Sequence, residues 1–332
     1  MRVYFSQVHG ASAEGSGYKK EWDLFISNLP QTTSSYSITD NPNKADVIIS
    51  PSALQLDNAN LRAILKPLFR DEVSHFVWDW GDKPVGRLSG FYCSLQNSLF
   101  DKSRHRSMCY PLTFNELVEE FPQDDVTFNF GLVGGVTAGV RERLFHIFKP
   151  TELENNSLFQ IQPGDWSKVF DRTGSQSKRA YANFLRKTRF ILCPRGYGVG
   201  SVRLFETLKA GRVPVIISDG YVLPSGIDWN NCSIRIKERE IRSIPEVIYS
   251  KLDDWSRMAF NARDVFLSNF SEQTVMSYMV KNISQIQTDL LKYKWWSSSL
   301  YSAKVAAAFI GHYSRPALGA AKRDIIGKLK ME

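Results

Sequence analysis

A chain of 332 residues is too long for one small domain and comfortable for two of ordinary size. Its 43% hydrophobic and 23% charged residues exclude a disordered tail, a collagen-like fibre and a disulfide-stapled miniprotein. No run reaches the roughly 18 apolar residues of a membrane span, and the formal charge of +8 points to an anionic partner: phosphate, nucleic acid or an acidic membrane surface.

In chain order, Val3–Ser6 reads as a strand, followed by a Gly/Ser-rich loop from His9 to Gly17. Trp22, Phe25, Ile26 and Leu29 recur at helical spacing and stop at Pro30. Asp46–Ser50 is a compact strand, Leu61–Phe69 a helix despite Pro67, and His75–Trp78 another strand. Short apolar strands alternating with helices predict a parallel sheet covered on both faces. After the polar stretch Phe121–Asp125 the pattern restarts. Val126–Phe130 reads as a strand, Val133-Gly134-Gly135 as a turn, and Thr137 as the cap of a helix through Arg141, Leu144, Phe145 and Phe148. Phe190–Cys193, the loop Pro194–Gly200, a helix over Ser201–Ala210 and Val213–Ile217 form a βαβ unit in under thirty residues. From Pro245 the chain reads as helical, with Trp295-Trp296 and an Ala-rich basic tail following. The expectation is two α/β domains, 1–122 and 123–299, with residues 300–332 as a helical tail joining the first.

Cys93, Cys109, Cys193 and Cys232 are scattered without a CxxC, which implies neither a zinc site nor a disulfide framework. The chain runs from Met1 straight into a strand with no signal-peptide core, so reduced thiols in a cytoplasm are expected.

In open parallel sheets ligands bind outside the carboxyl ends of the strands. The loop after Cys193 lies there. Gly196, Gly198 and Gly200 let backbone N–H groups approach an anion, Ser201 opens a helix with a positive N-terminus, and Arg195 and Arg203 add guanidinium forks. Glu206, one turn on, is placed to accept hydrogen bonds from ribose hydroxyls. Phosphate and ribose recognised side by side means a nucleotide. The competing reading is a tight turn with Glu206 paired to Arg203 at i,i+3. Gly-Tyr-Gly-Val-Gly-Ser does not match the G-x-G-x-x-G fingerprint, and no G-x-x-x-x-G-K-[ST] occurs. Asp79-Trp80-Gly81-Asp82 has the wrong spacing for an Asp-x-Asp metal site, and no His/Cys cluster has ligand spacing, so no metal is expected.

Phe190–Gly196, Ser201-Val-Arg-Leu-Phe-Glu206, Ala210–Asp219, Leu223-Pro224, Ile227-Asp228-Trp229, Ser233–Ile236 and Glu238–Ile241 together resemble the signature of exostosin-like glycosyltransferases (glycosyltransferase family 47) over about fifty residues in order. Asn129-Phe130-Gly131 with Arg141–Leu144 resembles the strand and helix that open the family's nucleotide domain, whereas the first 120 residues match loosely. The resemblance implies two Rossmann-like domains with parallel sheets facing across a cleft (the GT-B fold), a nucleotide-sugar donor (UDP-linked in the expectation), inversion at the anomeric carbon, and no essential metal or cofactor. Carried over by position, Arg195 contacts the diphosphate, Ser201 and nearby N–H groups assist, and Glu206 holds the ribose. Arg212 stands where the family often has Cys.

Inverting transfer needs a general base near the acceptor hydroxyl, usually on the domain opposite the nucleotide. His9, Asp79 and Asp82 sit at strand ends in the first domain; against them, Asp82 caps the turn before Pro84 and Asp79 pairs with a surface Arg. Arg141, at the start of a helix after two glycines, either faces the donor phosphates or lies on the surface. Trp80 is the one tryptophan singled out as a sugar platform. Lys102–Arg106 is either a solvated basic loop or a site for an acidic acceptor. The expected partners are a nucleotide sugar and a glycan or lipid-linked glycan acceptor, with no nucleic acid. Peripheral contact with the inner face of a membrane through Trp295-Trp296 and the basic tail completes the picture, that of a bacterial-type cytoplasmic enzyme of polysaccharide biosynthesis. The alternative is a non-catalytic nucleotide- or glycan-binding protein of the same fold.

Overall fold

The computed structural model describes residues 1–7, 17–52, 73–82, 88–110, 115–148, 157–161 and 175–292. His9, the 61–69 helix and the tail from 293, with Trp295-Trp296 and the 300–332 segment, lie outside them.

Two wholly parallel sheets form, as the alternating pattern predicts. The first holds β1 (Arg2–Phe5), β2 (Ser37–Ile38), β3 (Val47–Ser52), β4 (Ser74–Asp79), β5 (Gly90–Tyr92) and β6 (His105–Ser107) in the order β2-β1-β3-β4-β5-β6. The second holds β7 (Phe128–Gly134), β8 (Ser157–Ile161), β9 (Thr188–Pro194), β10 (Val213–Ile217) and β11 (Ile234–Arg235) in the order β11-β10-β9-β7-β8. Each sheet reverses its direction of winding between its first and third strands. A crevice opens at such a reversal, because the loops leaving the two strands pass to opposite faces. In the second sheet that places a crevice between the ends of β7 and β9.

Helices α1 (Gly17–Asn28), α2 (Gly139–Ile147), α3 (Ser175–Lys187), α4 (Val202–Lys209), α5 (Ile244–Tyr249), α6 (Trp255–Asn269) and α7 (Val275–Lys292) complete the described residues. β9 and β10 are buried along almost their whole length, the signature of strands covered on both faces. α7 returns to the first sheet: Arg106 forms an ion pair with Asp289 at 3.1 Å, and Gln287 Nε2 donates to Ser74 Oγ. The Lys102–Arg106 run is solvated only in part: Lys102 is exposed on the turn before β6, whereas Ser103 and, within β6, His105 and Arg106 are buried.

The domains share one apolar cluster. Val3, Phe5, Trp22 and Trp78 of the first domain belong to the same buried group as Phe205 of α4, Phe266 of α6 and Met279 of α7. A run of edge-on rings, Tyr110–Phe205–Phe270–Tyr278, threads through it with centroids 6.4, 5.1 and 5.6 Å apart. Residues 115–122, which precede β7, are fastened to the second domain. Val118 and Phe121 pack with Ala182, Leu185 and Ile191, and Asn115 Nδ2 donates to the Lys178 carbonyl. The fully buried Arg212 guanidinium donates to five backbone carbonyls, those of Leu185, Arg186, Phe121, Pro122 and Gly211. Two of these are among the last residues of α3, where the helix dipole is negative. Burial pushes this guanidinium down to about 10, so it stays charged at neutral pH.

Candidate functional site

The carboxyl ends of the two sheets meet. Gly200 N–H donates to Ser94 Oγ at 3.2 Å, Val222 N–H to the Leu95 carbonyl at 3.0 Å, and Asn97 N–H to the Gly220 carbonyl at 2.8 Å. The glycine loop after β9 is pressed onto the end of β5. A Cβ on Gly200 would stand 2.2 Å from the Cys93 carbonyl oxygen, and one on Gly198 2.5 Å from Ser94 Oγ and 2.6 Å from Asp82 Oδ1. Gly200 therefore lets the two domains approach closely, and Gly198 lies against Ser94 and Asp82 across the same gap. Gly196 differs: a Cβ there would stand no nearer than 3.7 Å from Arg141 Nη2 and 3.8 Å from Thr137 Oγ1. Gly200→Ala is expected to cost about 1–3 kcal/mol through overpacking against immobile backbone, and Gly196→Ala close to nothing. Urea denaturation of the two variants checks the contrast.

At the β7/β9 crevice the positive charge collects. Arg141, buried in the first turn of α2, donates to the carbonyls of Arg195, Pro194 and Gly135. Burial, with Arg203 nearby adding repulsion, pushes its guanidinium down to about 9. Arg203 sits in the first turn of α4 and donates through Nη2 to the Val133 carbonyl at 2.6 Å. Its Nε and Nη1 are buried without a hydrogen-bond partner among the described residues, as is Thr137 Oγ1. Gly134 is required here on two counts: it adopts φ +154°, and a Cβ would stand 2.5 Å from Arg203 Nη2. Such orphaned donors are costly to bury, and here they collect at a switch point, beside the Glu206 carboxylate and the Tyr181 ring.

The other expected residues are placed as follows. Glu206 is half-buried beside Arg203 and Tyr181, and Oε1 accepts from the Asn115 N–H at 3.4 Å. Burial raises its carboxyl above the usual range, with that N–H and Arg203 opposing. Arg195 turns away to Glu238, Nε to Oε1 at 2.7 Å. Ser201 is the N-cap of α4, but its hydroxyl makes no capping bond. Asp82 is exposed and lies across the interdomain gap, against Gly198 and within electrostatic reach of Arg141. Asp79 Oδ1 accepts from the Gly81 N–H at 2.8 Å and shapes the turn that carries Asp82.

Two expectations are corrected. Trp80 is no sugar platform, because it is buried and stacked on Trp22 with centroids 5.5 Å apart. Thr137 does not cap α2, whose N-cap is Ala138, and its hydroxyl is left for another partner. Thr137, Glu238 and Ser94 were not singled out as site residues, although Glu238 stood in the family-like signature and Thr137 two residues after a Gly-Gly pair at a strand end. Among the described residues no cluster of three or more His, Cys, Asp or Glu side chains is placed to hold a metal, and no helix is long and apolar enough to cross a membrane.

Comparison with known proteins finds its family match in this second sheet and the helices around it. Residues 136–251 match the Exostosin GT47 domain. The exostosin-1 homolog of Caenorhabditis elegans is 32% identical over 164 residues, 46% of this chain and 42% of that protein. Exostosin-1b of Danio rerio is 28% identical over 183 residues, 53% of this chain and 24% of that protein. The chain thus spans less than half the length of these curated relatives, both of which are animal proteins. Among solved structures, WaaG, a glycosyltransferase involved in lipopolysaccharide biosynthesis, aligns at 11% identity over 87% of this chain and 99% of its own, with a TM-score of 0.40. Anabaena Alr3699/HepE in complex with UDP aligns at 10% identity over 87% and 100%, with a TM-score of 0.39. Residues 136–251 thus match an exostosin GT47 domain, and the chain is similar in sequence to exostosin-1 proteins over about half its length.

Proposed function

We propose that the chain transfers a glycosyl unit from a nucleoside diphosphate sugar, UDP-linked, to a glycan acceptor with inversion and without a metal. The observation that carries this reading is the pair of buried, unpartnered guanidinium nitrogens of Arg203 at the β7/β9 crevice. With the Thr137 hydroxyl and the Arg141 charge they offer the diphosphate the positive field that a metal supplies in other sites. Glu206, one turn along α4, takes the ribose. Gly196, the glycine of the loop with room beside it, supplies the close backbone approach. Asp82, on the opposite domain, takes the proton from the attacking hydroxyl. As that hydroxyl displaces the nucleoside diphosphate from the anomeric carbon, Arg203 and Arg141 stabilise the charge gathering on the leaving group. The donor belongs to the second domain and the acceptor to the first in this reading; the expected limits 1–122 and 123–299 shift, because residues 115–121 pack on the second domain and α7 contacts the first sheet.

Calorimetry tests it. Arg203→Ala is expected to weaken UDP binding roughly 10- to 100-fold, since a charge-assisted hydrogen bond contributes about 1.5–3 kcal/mol. Arg195→Ala is expected to weaken it less, its guanidinium being engaged with Glu238. Glu206→Ala is expected to weaken UDP but spare pyrophosphate, which has no ribose. Wild-type affinity for UDP in Arg203→Ala, with the fold intact, overturns the donor site. Sugar release from a panel of nucleotide sugars, set against binding alone, separates the enzyme from a non-catalytic binder.

A further inference from the structure

Tyr197 is 60% exposed and stands between Gly196 and Gly198 in the loop after β9. An exposed aromatic ring flanked by two glycines is held in the open by the backbone, because neither neighbour has a side chain to cover it. Val136, 46% exposed, lies on the facing β7–α2 loop, next to the Thr137 hydroxyl that approaches Gly196. Two exposed apolar side chains thus stand on the two loops, after β9 and after β7, that also carry the guanidinium and hydroxyl groups of the crevice. That combination, an apolar lip over a few convergent polar groups, is the make-up of a small-molecule site.

The position along the loop says which part of the ligand the ring meets. On one side of Tyr197, Gly196 lies beside Arg141 and Thr137, the groups assigned above to the diphosphate. On the other side, Gly198 lies against Asp82, the carboxylate assigned to the acceptor hydroxyl. The atom that changes partners must lie between the leaving phosphate and the base. Glu206, assigned to the ribose, is a turn into α4, beside Arg203, Tyr181 and Asn115. We infer that Tyr197 is the platform for the transferred sugar of the donor, its ring face packed against the C–H face of a pyranose, and that it sets which sugar is accepted. A pyranose carries its axial C–H bonds on one face and its hydroxyls around the rim. The negative face of an aromatic ring favours the first and leaves the second to polar neighbours. The inference rests on the donor reading proposed above.

The experiment is calorimetry on the whole chain with UDP, UDP-glucose, UDP-galactose, UDP-N-acetylglucosamine and UDP-glucuronate, comparing wild type with Tyr197→Phe and Tyr197→Ala. In Tyr197→Ala the best-bound UDP-sugar is expected to weaken roughly 3- to 10-fold, the range of a single aromatic contact, with UDP itself unchanged and Tyr197→Phe behaving as wild type. Equal weakening of UDP and UDP-sugar in Tyr197→Ala overturns the inference by placing the ring under the base. No weakening of any of the five overturns it too. A wild-type chain that binds none of the five fails the donor reading itself, and the platform with it. Tyr197 is exposed, so its substitution leaves the core packing untouched; unchanged thermal unfolding of both variants confirms that the comparison is one of binding.

Discussion

Asp82→Asn is expected to lower kcat by about 10²–10⁴-fold while leaving donor affinity unchanged. The variant keeps the shape of the side chain and removes only its capacity to take a proton. Asp82 is exposed at the end of the β4 turn, and its Oδ1 reaches to where a Cβ of Gly198 would be. The carboxylate and the donor loop thus border the same gap from opposite domains. Asp79→Asn is expected to behave differently. Asp79 Oδ1 holds the Gly81 N–H, a contact that the Asn carbonyl oxygen can replace, so most of kcat should survive. Steady-state kinetics together with UDP calorimetry on both variants gives the answer. Full activity in Asp82→Asn removes it as the base and turns attention to His9.

The largest expected effect on stability belongs to Arg212→Met. The methionine fills part of the volume but leaves five carbonyls without their common donor. Removing one side of a buried charged network costs about 3–5 kcal/mol, and that loss should appear as a lower urea midpoint. Arg212→Lys is expected to recover little of it, because a compact ammonium has three donors on one atom and cannot span acceptors on α3 and on residues 121–122 together. Neither variant touches the donor crevice, so UDP affinity of the folded fraction should be retained.

These two residues also mark how far the chain can be read without its structure. The β9–α4–β10 unit was legible because a fully apolar strand, a glycine loop and an amphipathic helix are local signals. Its position at a strand end located the crevice. The very short strands β2, β5, β6 and β11 were not legible, since two or three residues show no period. What the loop's residues do depends on partners far along the chain. Arg195 is claimed by Glu238, 43 residues on, and Gly200 by Cys93 and Ser94, more than a hundred residues back. Trp80 followed a strand like a loop residue, yet the place it fills is set by Trp22 of α1. Arg212 read as a minor departure from the family pattern and is instead the bolt between α3 and the segment that links the sheets.

The ring series Tyr110–Phe205–Phe270–Tyr278 has a mechanical consequence. Among the described residues the chain changes domain twice, between Tyr110 and Asn115 and between Phe270 and α7, since Asn115, Val118 and Phe121 are anchored to the second domain and α7 to the first. Both passages converge on Phe205, which is flanked in α4 by Leu204 and Glu206. Drawing the domains apart therefore uncovers apolar ring surface beside the helix that carries Arg203 and Glu206, so hydrophobic burial at one helix holds both passages of the chain together.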